Sequence, residues 1–239
     1  MSKQAKAKAS SGGDNFTRWL VIGMVALVVV TGVVFSVMSS STKANESFVA
    51  LKGYKLGQSV TSTIDPAQGS GLVVNPGGPV KIDLWEDPQC PVCRAFEESN
   101  GAYIDDLVRT KKATVVYHAL SFLGDESIRA ANALMCAADE GHYLDFHKAT
   151  YIVQPALENS GFFTNANLIK IGSYIGLKSK TFTDCITNGS KLTLIKTQLD
   201  SMAAFKVTGT PTIFINDKLW VRQSNGYDPT EFRLAVEAG

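Results

Sequence analysis

Residues 80–93 read VKIDLWEDPQCPVC, and this stretch decides the fold. Val80 to Trp85 is apolar and β-prone, as a strand requires. Asp87-Pro88 breaks the strand, because a proline has no N–H to donate to the ladder. Pro91 then sits where a helix begins, at the first position, where its missing N–H costs nothing. An acidic-tipped amphipathic run from Pro91 to about Asn100 continues as that helix. Cys90 and Cys93 therefore fall at a strand-to-helix turn, with the backbone N–H groups and positive dipole end of the helix facing the Cys90 sulfur.

That setting favours a thiolate at Cys90. The thiolate is the attacking species in disulfide exchange, and a low pKa also makes it the better leaving group. On the CxxC pattern alone, half of a zinc site or a structural pair competes with redox chemistry. Zinc needs two further ligands, and the other two cysteines, Cys136 and Cys185, stand apart in helical-looking segments without a second CxxC. No metal is expected, and no cofactor.

Working outward, Ala113–Leu120 carries a dense β-prone cluster and forms a second strand. Asp125 to about Phe205 holds no comparable strand, and the spacing of Ile128, Ala131, Leu134, Met135 and Ala138 suits a helix. Strand character returns at Thr212–Ile215, followed by an Asn216-Asp217 turn, a short strand near Leu219–Val221 and a closing helix opening at Asp228-Pro229. Just before this strand, Val207-Thr208-Gly209-Thr210-Pro211-Thr212 places a proline at its start.

Taken together, the CPVC turn and the Thr210-Pro211 strand start resemble the thioredoxin superfamily. The long helical insertion resembles its DsbA-like branch of extracytoplasmic disulfide-forming enzymes. The resemblance implies an α/β thioredoxin-like domain over residues 79–239 with a helical insertion at about 125–205. It also implies a cis peptide bond at Pro211 packed against the redox pair, and a Thr210 backbone that docks an extended substrate beside Pro91 and Val92. It departs from the best-studied pattern by carrying Pro-Val rather than Pro-His between the cysteines. A histidine there can add positive charge beside the thiolate, so its absence bears on how oxidising the pair is.

Two acids are candidates for relaying a proton to Cys93: Asp83, near the position of the buried acid of thioredoxins, and Glu86, nearer the turn. Arg94 is an exposed helix arginine that could support the thiolate. Cys136 and Cys185 read most simply as a structural disulfide, with a second redox pair as the alternative. His118, His142 and His147 show no metal-ligand spacing in the sequence and read as surface or packing residues. Phe122, Tyr143, Phe146 and Phe162 read as core aromatics before groove linings.

The N-terminal part is of another kind. Residues 1–18 form a polar tail with Lys3, Lys6, Lys8 and Arg18, and Trp19–Met38 is an uncharged apolar run. Twenty helical residues span roughly 30 Å, the thickness of the bilayer hydrocarbon, so an uncleaved anchor is expected, with a cleavable signal peptide, whose apolar region is usually only about 7 to 15 residues, as the competing reading. The flanking lysines keep the tail in the cytoplasm, and the rest of the chain then lies outside, in a compartment where disulfides persist. Residues 39–78, rich in Ser, Thr, Gly and Pro, read as a linker that becomes a loop into the domain, with Leu72–Val74 a possible first strand. A formal net charge of +1 gives no argument for a nucleic-acid partner.

The expected activity is the introduction of disulfide bonds into reduced exported polypeptides. By resemblance, a quinone-linked membrane reoxidase of the DsbB or vitamin K epoxide reductase type recharges the pair. A reductase, isomerase or thiol supplier for cofactor maturation uses the same chemistry in the other direction, and a tethered binding module with a structural CxxC is the reading of another class.

Overall fold

The computed structural model describes residues 47–239. The expected tail, the apolar run Trp19–Met38 and the start of the linker lie outside the described residues. Among the described residues no helix is long and apolar enough to cross a membrane.

Six strands form one sheet. They are β1 (Ser62–Asp65), β2 (Gly71–Val74), β3 (Val80–Glu86), β4 (Ala113–Ala119), β5 (Thr212–Ile215) and β6 (Lys218–Leu219), in the spatial order β1-β2-β4-β3-β5-β6. The central pair, β3 and β4, is parallel, with Ile82 opposite Val115 and Glu86 opposite Ala119. Every residue of β4 is buried, as expected of a central strand covered on both faces. Crossing from β3 to β4 is α1 (Pro91–Arg109). The helix runs past Gly101, well beyond the expected end near Asn100, because a single helical glycine costs only about 1 kcal/mol and Phe96, Ile104, Leu107 and Val108 bury its inner face.

Between β4 and β5 the chain forms α2 (Asp125–Asp139), α3 (Tyr143–Val153), α4 (Asn165–Ile175), α5 (Lys180–Asn188) and α6 (Leu192–Ser201). β5 and β6 are joined through Asn216 and Asp217, both with positive φ (48° and 64°), which is the backbone a tight hairpin needs and Asn and Asp tolerate. The closing helix α7 (Pro229–Glu237) is capped by the Asp228 side chain, which accepts from the Thr230 N–H. Its Phe232 meets Phe96 of α1 edge-to-face at 5.3 Å.

The sheet begins earlier than the expected boundary at residue 79. β1 and β2 lie inside the segment read as linker, pairing Thr63 with Val73 and Val73 with Val116. Phe48 and Leu51 are fully buried, Phe48 stacking on Tyr174 at 5.6 Å. The polar composition of 39–78 hides this: β1 is a short edge strand facing water, and edge strands tolerate Ser and Thr. Residues 47–78 are therefore folded structure.

Cys136 of α2 and Cys185 of α5 form a disulfide with a Cα–Cα distance of 5.8 Å. For a loop of this length the chain-entropy model gives a stabilisation of about 4 kcal/mol. Replacing both cysteines by serine is expected to lower unfolding free energy by up to that amount in a denaturant titration, while the reactivity of Cys90 is unchanged.

Candidate active site

Cys90 is the N-cap of α1, and its sulfur accepts a hydrogen bond from the Cys93 backbone N–H at 3.4 Å. A cysteine here stands where Ser, Thr or Asp usually satisfies the free N–H groups of a helix start. The Thr210–Pro211 peptide is cis, and the Cys90 thiol donates to the Thr210 carbonyl at 3.6 Å. The expected residues Cys90, Cys93, Pro91, Val92, Thr210 and Pro211 are thus brought to one place by two segments far apart in the chain. Val92 is half exposed beside the buried cysteines, which are both free thiols.

The two sulfurs are electrostatically unlike. Cys90 is lowered from 9.0 to about 6, first by the hydrogen bond from the Cys93 side chain and further by the Cys93 and Val92 backbone N–H groups, against the cost of burial. Cys93 is raised well above 9.0 by burial, by its hydrogen bond to Cys90 and by the charge of Glu86. A thiolate at Cys90 beside a thiol at Cys93 is the arrangement that dithiol exchange uses.

Strand alternation separates the two candidate acids. Asp83 lies on the face carrying Trp85, where its Oδ1 sits 2.9 Å from Nε2 of buried His118 and His118 stacks on Trp85 at 3.5 Å. Glu86 points to the cysteine side, and its Oε2 is 3.0 Å from His147 Nε2. Burial and the charge of Cys90 hold its carboxyl well above 4.5. Of the two, Glu86 is the acid whose charge reaches Cys93.

The helical insertion grips the turn. The Tyr151 hydroxyl donates to the Asp87 carbonyl at 3.2 Å, and Gln154 donates to the carbonyls of Pro88 (2.8 Å) and Cys90 (3.1 Å). The Asp87 carboxylate accepts from Gln89 N–H, Ser127 hydroxyl and the N–H groups of Phe122 and Leu123, binding the turn to the start of α2. Arg94 reaches Glu98 and the Gln154 carbonyl, so it braces the insertion instead of facing the Cys90 sulfur.

Sequence reasoning missed His147 and Glu97. Glu97 stands one helical turn after Cys93, a spacing that puts both on one face, and that signal was readable. His147 comes from α3, and nothing local ties it to the turn. All three histidines in fact face carboxylates: His118 meets Asp83, His142 meets Asp145 at 3.2 Å, and His147 meets Glu86. The ligand-type atoms of Glu86, Glu97 and His147 lie within 4.8 Å of one another. Of the aromatics read as core, Tyr143, Phe146 and Phe162 are buried, whereas Phe122 is 43% exposed.

The serine/threonine-protein kinase PknE of Mycobacterium tuberculosis is 30% identical over 151 residues, covering 57% of this chain and 26% of that protein, so the chain spans about a quarter of the length of that curated relative. The reduced disulfide bond oxidoreductase DsbG of M. tuberculosis superposes with a TM-score of 0.58 at 27% identity, over 68% of this chain and 80% of that one. Reduced DsbA of the same organism gives 0.58 at 27% identity, over 68% and 85%. Residues 70–237 match the family model described as thioredoxin, well over half of the chain, and the protein belongs to the thioredoxin family.

Proposed function

We propose that this protein is a thiol oxidase that introduces disulfide bonds into exported polypeptides, with Cys90 as the exchanging sulfur and Cys93 as its partner. The observation that carries the reading is the placement of the two sulfurs: Cys90 caps α1, 3.4 Å from the Cys93 N–H and 3.6 Å from the Thr210 carbonyl, with Cys93 fully buried behind it, and the lowered Cys90 and raised Cys93 agree with it.

In the oxidised enzyme a substrate thiolate attacks Cys90 Sγ. The Cys90–Cys93 bond breaks, its electron pair leaves on Cys93, and Glu86 supplies the proton that makes Cys93 a thiol. A second substrate thiolate then attacks the substrate sulfur of the mixed disulfide, and Cys90 leaves as a thiolate. Two electrons pass from the substrate dithiol to the enzyme pair. Of the two substrate protons, one equivalent is retained at Cys93 and one is released. The Thr210 backbone and half-exposed Val92 offer an extended chain a docking edge beside Cys90. Reoxidation requires an electron acceptor, which we assign to a quinone-linked membrane oxidase.

We place the catalytic domain outside the cytoplasm, tethered by Trp19–Met38. The Cys136–Cys185 disulfide supports that compartment, because such bonds are rare where thiols are kept reduced.

Trapping tests the scheme. Cys93→Ser carries no enzyme sulfur to displace the substrate, so after activation of Cys90 with a chromogenic aryl disulfide and addition of a reduced exported polypeptide that has a single cysteine, a mixed disulfide through Cys90 is expected on a non-reducing gel. Cross-linking through Cys136 or Cys185, or none at all, would contradict it.

A further inference from the structure

Cys93 is fully buried, yet each catalytic cycle must give it a proton and take one away. Glu86 is equally enclosed, so a proton donated by Glu86 has to be replaced from somewhere.

The structure offers one continuous set of groups. Glu86 Oε2 meets His147 Nε2 at 3.0 Å, and the other ring nitrogen, Nδ1, is 3.8 Å from Glu97 Oε2. Glu86 Oε1 and Glu97 Oε1 are both buried without a hydrogen-bond partner. An unpartnered buried carboxylate oxygen is costly when charged and acceptable when it carries the proton. Burial, with the charges of Glu86 and Asp105, holds Glu97 up at about 8, against the pull of His147 and Lys148. Burial also lowers His147, so all three groups favour their neutral forms. Tyr117, Tyr143 and Tyr151 wall in the imidazole at 5.4, 5.4 and 5.0 Å, and burial raises each tyrosine far above its usual range. They act as insulation. Asp105 and Lys148, whose charges reach Glu97, line a cleft of about 910 Å³ with Tyr54 and Asp145, and neither cysteine lines it.

We propose that Glu86, His147 and Glu97 form a proton relay joining Cys93 to the cleft at Asp105 and Lys148, so that protons enter and leave away from the substrate at Cys90. The inference rests on the exchange chemistry proposed above. When Glu86 has protonated Cys93, His147 passes its Nε2 proton to Glu86 and takes one at Nδ1 from Glu97 once the 3.8 Å gap between them closes to hydrogen-bond distance, and Glu97 is refilled by solvent from the side of Asp105 and Lys148. The steps reverse when Cys93 must become a thiolate.

Oxidation of the dithiol enzyme by oxidised glutathione separates the steps. Cys90 thiolate first attacks, releasing one glutathione. Cys93, after losing its proton to the relay, then attacks Cys90 and expels the second. His147→Gln and Glu97→Gln are expected to slow the second step about tenfold each, a modest share of what positioned proton transfer supplies, with the first step retained. Because the groups act in series, the double variant should be no slower than the slower single one. An unchanged second step, or slowing that multiplies in the double variant, overturns the relay. Loss of the first step in the unaltered protein would overturn the exchange reading itself. Should the buried substitutions unfold the chain, Lys148→Met on the surface removes a charge that lowers Glu97. The pH inflection of the second step should then move upward, and an unmoved inflection overturns the proposal.

Discussion

Cys90→Ser is expected to bring the rate at which the protein oxidises a reduced peptide down to that of the peptide alone. A serine hydroxyl at the helix start can still accept the Cys93 N–H bond, so the turn and the fold survive. What is lost is the sulfur that forms the mixed disulfide, and no other free thiol can replace it: Cys93 is fully buried with a raised pKa, and Cys136 and Cys185 are joined to each other. The rate is measured by following peptide disulfide formation chromatographically, with circular dichroism to verify the fold. A variant that retained the native rate would mean that the chemistry lies elsewhere.

The second large effect is the pH dependence of the dithiol form. Because Cys90 is lowered in the folded state from 9.0 to about 6, folding favours its thiolate. This contribution to the stability of the reduced protein is fully present above about 9 and is lost as pH falls through about 6. Reduced protein should therefore gain melting temperature relative to oxidised protein between pH 6 and pH 9, since the disulfide form has no Cys90 proton to lose. Glu97, raised to about 8, acts with the opposite sign from 4.5 upward, but it is present in both forms and cancels to the extent that it is unaffected by the redox state. Alkylation of Cys90 by iodoacetamide should show half-maximal rate near pH 6. A midpoint near 9 would contradict the thiolate assignment.

Much of this was legible in the sequence because it is local. The turn Glu86–Cys93 declares a strand end, a break and a helix start within a few residues, and Asn216-Asp217 declares a hairpin in two. The helical insertion was readable from the absence of strand character between Asp125 and Phe205. What was not legible depends on long-range pairing. The strand Ser62–Asp65 is too short and polar to stand out until Gly71–Val74 pairs with it. The choice between Asp83 and Glu86 follows from which face of β3 meets α1, and composition does not give that. His147 and Gln154 act on the turn only because the insertion folds back over it, from positions some sixty residues downstream.

Whether the pair donates disulfides is decided by its reduction potential. The full chain would be equilibrated against glutathione at pH 7, with the redox state of Cys90 and Cys93 read by mass after alkylation. Reference values are about −120 mV for the oxidant DsbA and about −270 mV for the reductant thioredoxin. A disulfide donor is expected to give a value on the DsbA side of their midpoint, about −200 mV. A value on the thioredoxin side would contradict it, leaving the same two cysteines running the exchange in the opposite direction.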